Sequence, residues 1–123
     1  MTAKDKTLVL GASEETSRYS NMAIRMLRKH DHRVVAIGRK SGKVDDVIIE
    51  TGTPQLEDID TVTLYMNPMH QRPLLDWIIS LCPRRIIYNP GTENPELQTL
   101  AAAQGIENLE ACTLVMLSTG VYG

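Results

Sequence analysis

Short apolar runs alternate along this chain with stretches whose apolar residues recur at helical spacing, a pattern that predicts strands and helices in turn. The run at residues 8–10 (Leu-Val-Leu) stops at Gly11. A small polar loop follows, then a segment in which Ala23, Met26, Leu27 and His30 share one helical face. Ser17 and Ser20 are that helix's candidate caps. Residues 34–37 read as a second buried strand, followed by the glycine-punctuated basic turn Gly38-Arg39-Lys40-Ser41-Gly42-Lys43. Residues 44–51 contain the short β-branched run Val47-Ile48-Ile49, and 53–55 read as loop. Residues 56–59 fit a single helical turn, and 62–66 form a strand closed by Asn67-Pro68.

Leu74, Leu75, Ile78, Ile79 and Cys82 mark the next helix, with Pro73 in its first turn, where a missing N–H goes unfelt. Residues 85–88 are a strand closed by Asn89-Pro90-Gly91. A further helix starts with Asn94 as cap, Pro95 in the first position and Glu96 against the positive end; it stops at Gly105. The run at 111–117 reads as a last buried strand. About five or six strands with interposed helices predict an α/β fold. The expected architecture is a Rossmann-like open parallel sheet with helices on both faces, strand order 3-2-1-4-5, extended by the last run. No stretch looks like a linker, so residues 1–123 are expected to form a single domain.

Charge narrows the partners. Thirteen Lys and Arg against fifteen Asp and Glu give a formal charge of -2, which argues against a nucleic-acid binder held by a diffuse basic surface. No apolar run approaches the roughly 18 to 20 residues of a membrane span, and the opening Met-Thr-Ala-Lys-Asp-Lys has no apolar signal core. A cytoplasmic protein is expected. Cys82 and Cys112 lie far apart in apolar contexts and read as reduced core residues. No Cys/His cluster has metal-ligand spacing, so no metal is expected.

In an open α/β sheet, ligands sit beyond the carboxyl ends of the strands. The first loop, the basic turn and the two Asn-Pro turns (Asn67-Pro68 and Asn89-Pro90) therefore converge on one rim. A dinucleotide fingerprint would be G-x-G-x-x-G. Here Gly11 is present, but Ser13 holds the second glycine position and Thr16 the third, which leaves a plain βα turn nearly as good a reading. The second strand's end says more. An NAD site wants an acidic residue there for the ribose hydroxyls. Gly38-Arg39-Lys40 suits a phosphorylated ribose instead, as in NADP (2′-phosphate) or coenzyme A (3′-phosphate). The alternative is that these cations only solvate a loop.

The stretch Leu8-Val9-Leu10-Gly11-Ala12-Ser13, the run Arg18-Tyr19-Ser20-Asn21 and the turn Asn89-Pro90-Gly91-Thr92-Glu93-Asn94 resemble the small stand-alone CoA-binding proteins. These are similar to the N-terminal CoA-binding domain of the succinyl-CoA synthetase alpha subunit. The likeness runs over essentially the whole chain. It implies a Rossmann-like fold with the ADP portion of CoA over the first loop. It assigns Gly11, Ala12, Ser13, Arg18 and Ser20 to the diphosphate, and Arg39 and Lys40 to the phosphorylated ribose. Asn67, Pro68, Asn89 and Gly91 would border the remaining groove. The larger enzyme also needs a second domain with a phosphorylated histidine and a partner subunit; this sequence has neither, so the resemblance supports binding and not ligase chemistry.

No catalytic set stands out. His30 and His32 flank a turn at the end of the sheet opposite the rim, and His70, near it, has no identifiable carboxylate or nucleophile partner. Glu93 suits holding its own turn, and Trp77 falls on the helix face away from the apolar stripe. Two function classes remain. One is a non-catalytic CoA or acyl-CoA binding module, serving a protein partner or sensing the ligand. The other is a small NADP-dependent oxidoreductase, for which Tyr65 and Tyr88 would be proton donors, though neither has a Lys at useful spacing.

Overall fold

The computed structural model describes residues 4–123; residues 1–3, part of the polar N-terminal stretch, lie outside the described residues. The chain forms β1 (Lys6–Ala12), α1 (Tyr19–Lys29), β2 (Arg33–Gly38), β3 (Gly42–Val44), β4 (Val47–Glu50) and β5 (Ile59–Leu64). Then come α2 (Pro68–Gln71), a 3-10 turn (Arg72–Leu74), α3 (Leu75–Ser80), β6 (Arg85–Tyr88), α4 (Pro95–Ala103), β7 (Glu107–Glu110) and α5 (Thr113–Ser118). The sheet runs β3-β4-β2-β1-β5-β6-β7. All neighbours pair in parallel except the edge hairpin β3–β4. Counting only the parallel strands, the order is the expected 3-2-1-4-5 with a sixth strand added; β3 is an unforeseen antiparallel edge built from the end of the basic turn.

Two apolar layers flank the sheet, as a parallel sheet requires. On one face Leu8, Leu10, Val62, Leu64, Ile86 and Tyr88 pack under Leu75, Ile78, Leu97 and Ala101 of α3 and α4. On the other, Val9, Ala36, Ile49 and Ile87 pack under Ile24 and Leu27 of α1 and Leu117 of α5. Period-2 alternation along β1 sends its neighbouring residues to opposite layers.

Several local expectations are corrected. Residues 111–117 form no strand: Thr113 and Leu117, four apart, face inward from α5, and Val115 is exposed. The sixth parallel strand is the polar Glu107–Glu110, whose half-buried Asn108 and Leu109 suffice at a sheet edge. Residues 56–58 make no helical turn, and Ile59 already belongs to β5. The helix expected from Pro73 through Cys82 is shorter, α3 covering only Leu75–Ser80; Pro73, which lacks an N–H, lies in the 3-10 turn that joins α3 to the unforeseen α2. Cys82 lies past α3, exposed, with φ +49, so it is no core residue. Cys112 is half-buried just ahead of α5 and opens no strand. Trp77 packs against the α3 layer and donates from Nε1 to the Pro54 carbonyl (3.1 Å). Asn94 caps α4 through the Leu97 N–H (3.2 Å), with Pro95 and Glu96 in the first turn. Among the described residues no helix is long and apolar enough to cross a membrane.

Candidate functional site

The parallel topology brings the ends of β1, β2, β5, β6 and β7 to one rim. Gly11 sits there with φ +96, and a Cβ on it would lie 2.9 Å from the Tyr65 carbonyl carbon and oxygen. Only glycine lets β1 and β5 close up at this point; the Tyr65 N–H donates to the Leu10 carbonyl (2.8 Å). Ala12 is buried beneath the loop. Ser13 Oγ accepts from the Glu15 N–H (3.1 Å), and its carbonyl accepts from Asn21 Nδ2 (2.9 Å). Asn21 Oδ1 in turn accepts from Arg25 Nε (2.7 Å), and Arg25 Nη2 reaches the Thr16 carbonyl (3.1 Å). The loop is thus braced from below by α1.

Neither Ser17 nor Ser20 caps α1. The capping position is Arg18, among the described residues no side chain bonds the first turn's N–H groups, and no acidic residue occupies that turn. An 11-residue helix therefore presents uncapped donors and its positive end to the rim. Ser20 is buried in that turn, and Arg18 is exposed, paired with Glu15 (2.8 Å). An exposed pair of this kind contributes about 0–1 kcal/mol, so Arg18 is readily surrendered to another anion.

The basic turn is docked on the first loop at both ends. A Cβ on Gly38 would collide with the Ala12 carbonyl oxygen, and a Cβ on Gly42 would collide with the Glu14 carboxyl group. Glu14 Oε2 also accepts the Lys43 N–H (2.9 Å). Between these contacts, Arg39 and Lys40 stand exposed, with no ion-pair or hydrogen-bond partner among the described residues. Neither Gly38, Gly42 nor Glu14 was singled out from the sequence. The two glycines were visible as punctuation, but their cause is a contact across more than twenty residues.

The other side of the rim is built by turns. Asn67 is exposed and caps α2, accepting the His70 N–H (3.1 Å), with Pro68 as the first helical residue. Asn89 is buried and turned inward: Nδ2 donates to Thr63 Oγ1 (2.7 Å) and the Leu64 carbonyl (2.8 Å). Gly91, exposed, donates its N–H to Glu93 Oε1 (2.9 Å), so Glu93 holds its own turn. Gln71, also missed, ties both turns together, donating to the carbonyls of Met66 (2.8 Å) and Thr92 (2.9 Å) and accepting from Asn94. Its burial shows only in the structure, and no local sequence signal marks it.

Two clefts, of ≈ 400 and ≈ 330 Å³, lie elsewhere: one between residues 53–56 and α3, the other at the opposite end of the sheet around His32, Asp60 and Tyr122. Among the described residues no group of His, Cys, Asp and Glu could hold a metal ion.

Residues 5–118 match the family described as CoA binding domain. The chain belongs to that family. The membership agrees with the resemblance carried by the first loop and the Asn-Pro-Gly-Thr-Glu-Asn turn. A crystal structure of an uncharacterized protein is 47% identical, with TM-score 0.92, covering 98% of this chain and 100% of that one. Cell-free ID.343 from Thermus thermophilus is 18% identical (TM-score 0.82; 96% of this chain, 90% of that one). A hypothetical protein from Pyrococcus horikoshii OT3 is 20% identical (TM-score 0.82; 98% and 85%). The last two share the fold. A comparison with curated proteins finds no match.

Proposed function

We propose that this CoA-binding domain holds coenzyme A or an acyl-CoA at the rim, as a binding module without ligase chemistry of its own. The observation that carries the reading is the double docking of the basic turn. It holds the turn that carries two exposed cations, Arg39 and Lys40, against the first loop, which leads into the uncapped end of α1. The diphosphate would lie over Gly11, Ala12 and Ser13 at the α1 terminus, where N–H groups and the helix dipole favour anions, with Arg18 and Ser20 flanking it. Arg39 and Lys40 would take the 3′-phosphate of the ribose. The Asn67–Pro68 turn and the Asn89–Gly91 turn would border the pantetheine arm, Asn89 acting by shaping the turn because its side chain is committed inward. The thiol belongs to the ligand; the chain's residues bind and orient.

An NADP-dependent oxidoreductase would use the same cations but needs a tyrosine proton donor. Burial pushes the Tyr65 hydroxyl up to about 12, and raises Tyr88 as well. Tyr88 is further occupied by Asn108 (2.8 Å). These are poor donors near neutrality, and the CoA reading is preferred. Calorimetric titration of the purified protein with CoA, dephospho-CoA and NADP tests it. CoA should bind best; tighter NADP binding would replace this reading with the oxidoreductase.

A further inference from the structure

Glu14 lies in the first loop, in the middle of the region assigned to a doubly charged diphosphate, where a carboxylate is electrostatically out of place. Its position is nonetheless specific. Oε2 accepts the N–H of Lys43 at 2.9 Å, and the side chain fills the space that a Cβ on Gly42 would need. β3 is an edge strand, so one row of its backbone donors has no ladder partner. Glu14 supplies an acceptor to one of them. The other end of the same turn is fixed by the close approach of Gly38 to the Ala12 carbonyl. Arg39, Lys40 and Ser41 therefore bridge two points that both rest on the first loop. With the Glu14 contact removed, the hairpin keeps its three-residue β3–β4 pairing, its packing on α1 and the Arg28–Asp46 pair at its turn (2.9 Å), but loses its bond to the first loop.

We propose that Glu14 is a positioning residue for phosphate selectivity: it clamps the basic turn to the first loop, so that Arg39 and Lys40 meet a ribose phosphate from a preformed cradle. This rests on the CoA-binding reading and adds to it the residue that sets the cradle's geometry. Preorganisation is what a flexible Arg and Lys pair otherwise lacks, since ordering each long side chain and its loop on binding reduces affinity. The repulsion between Glu14 and a phosphate is limited because its carboxylate is engaged by the Lys43 N–H and points to the hairpin.

The test compares Glu14→Ala, Glu14→Gln and Gly42→Ala with the parent protein. Hydrogen exchange at the Lys43 amide is measured without ligand, and calorimetry with CoA and dephospho-CoA. Glu14→Gln keeps an acceptor and should keep both Lys43 protection and the preference for CoA. Glu14→Ala should expose the Lys43 amide and reduce the CoA preference by roughly three- to tenfold, leaving dephospho-CoA affinity within about twofold. Gly42→Ala has no positive φ to strain, and the atoms nearest its added Cβ all belong to the flexible Glu14 side chain, so it should reproduce that loss in a folded protein. Unchanged Lys43 exchange in Glu14→Ala, or an exposed amide with the CoA preference intact, overturns the proposal. A parent protein that does not prefer CoA instead overturns the underlying reading, and the proposal falls with it.

Discussion

Asn89 and Thr113 are joined across the rim by a bond from the Thr113 N–H to Asn89 Oδ1 (2.9 Å). The same asparagine donates to Thr63 Oγ1 and the Leu64 carbonyl, and Thr63 is also bonded to the Thr113 hydroxyl (2.8 Å). One buried side chain thus fastens the end of β5, the start of the β6 turn and the start of α5. Because three groups would lose a partner in a dry environment, Asn89→Ala should destabilise the fold by about 2–4 kcal/mol. Urea denaturation checks this, and a loss below about 1 kcal/mol would show that water replaces the network.

Gly11 and Gly105 both have positive φ, +96 and +74, yet only Gly11 is crowded. Gly105→Ala should cost about 1–2 kcal/mol, the conformational penalty alone. Gly11→Ala adds a clash with the Tyr65 backbone, raising the expected loss to about 2–4 kcal/mol. Equal losses in parallel denaturation curves would mean that β1 and β5 separate freely at the rim, contrary to the geometry.

Much of this fold was legible because its signals are local. The Leu8–Leu10 run, the Asn94-Pro95-Glu96 start of α4 and the Gly105 stop each act within a few residues. What was not legible depends on distant partners. The 111–117 run is apolar and seven residues long, a length at which a buried strand and a short helix look alike; only its packing on α1 makes it α5. Glu107–Glu110 lacks a strand's apolar face because an edge strand needs little of one. At the site, Arg39 and Lys40 could be named from their charge. The contacts that place them, through Gly38 to Ala12 and Gly42 to Glu14, could not.

His32 offers a pH-dependent check at the far end of the sheet. Its ring meets Tyr122 edge-on, with centroids 4.8 Å apart, and the Arg85 guanidinium lies 4.5 Å from the same tyrosine ring. Burial first, then the neighbouring His30 and Arg85 charges, hold His32 below its ordinary value of 6.5; Asp31 pulls weakly the other way. The unfolded chain therefore takes up this proton more readily than the folded one. The contribution is complete above about pH 6.5 and is lost as the pH falls through the folded value. It should be small, since the ring is only half-buried. His32→Phe should flatten the stability profile below about pH 6.5, and an NMR titration should place the His32 midpoint below 6.5. A midpoint at or above that value would contradict the packing.

The decisive prediction concerns the phosphorylated ribose. Charge-assisted contacts to phosphate are among the stronger hydrogen bonds, and losing one often costs about 1.5–3 kcal/mol, roughly ten- to a hundredfold in affinity. Because Arg39 and Lys40 are exposed and have no protein partner among the described residues, their charges are free for a ligand and screened by salt. CoA should therefore bind at least tenfold tighter than dephospho-CoA at low salt, with the gap narrowing as salt is added. The Arg39→Ala/Lys40→Ala double variant should bring CoA down to the level of dephospho-CoA. Its thermal stability should stay close to the parent's, because neither side chain has a hydrogen-bond or ion-pair partner among the described residues. Residual binding of dephospho-CoA should persist in that variant, since the Gly11–Ser13 loop and the uncapped α1 terminus proposed for the diphosphate are unchanged. If the parent binds CoA and dephospho-CoA equally, the basic turn is a solvated loop and the site lies elsewhere along the rim. If the double variant loses both ligands together, the two cations act on the diphosphate, and the assignment of the ribose phosphate to them is wrong.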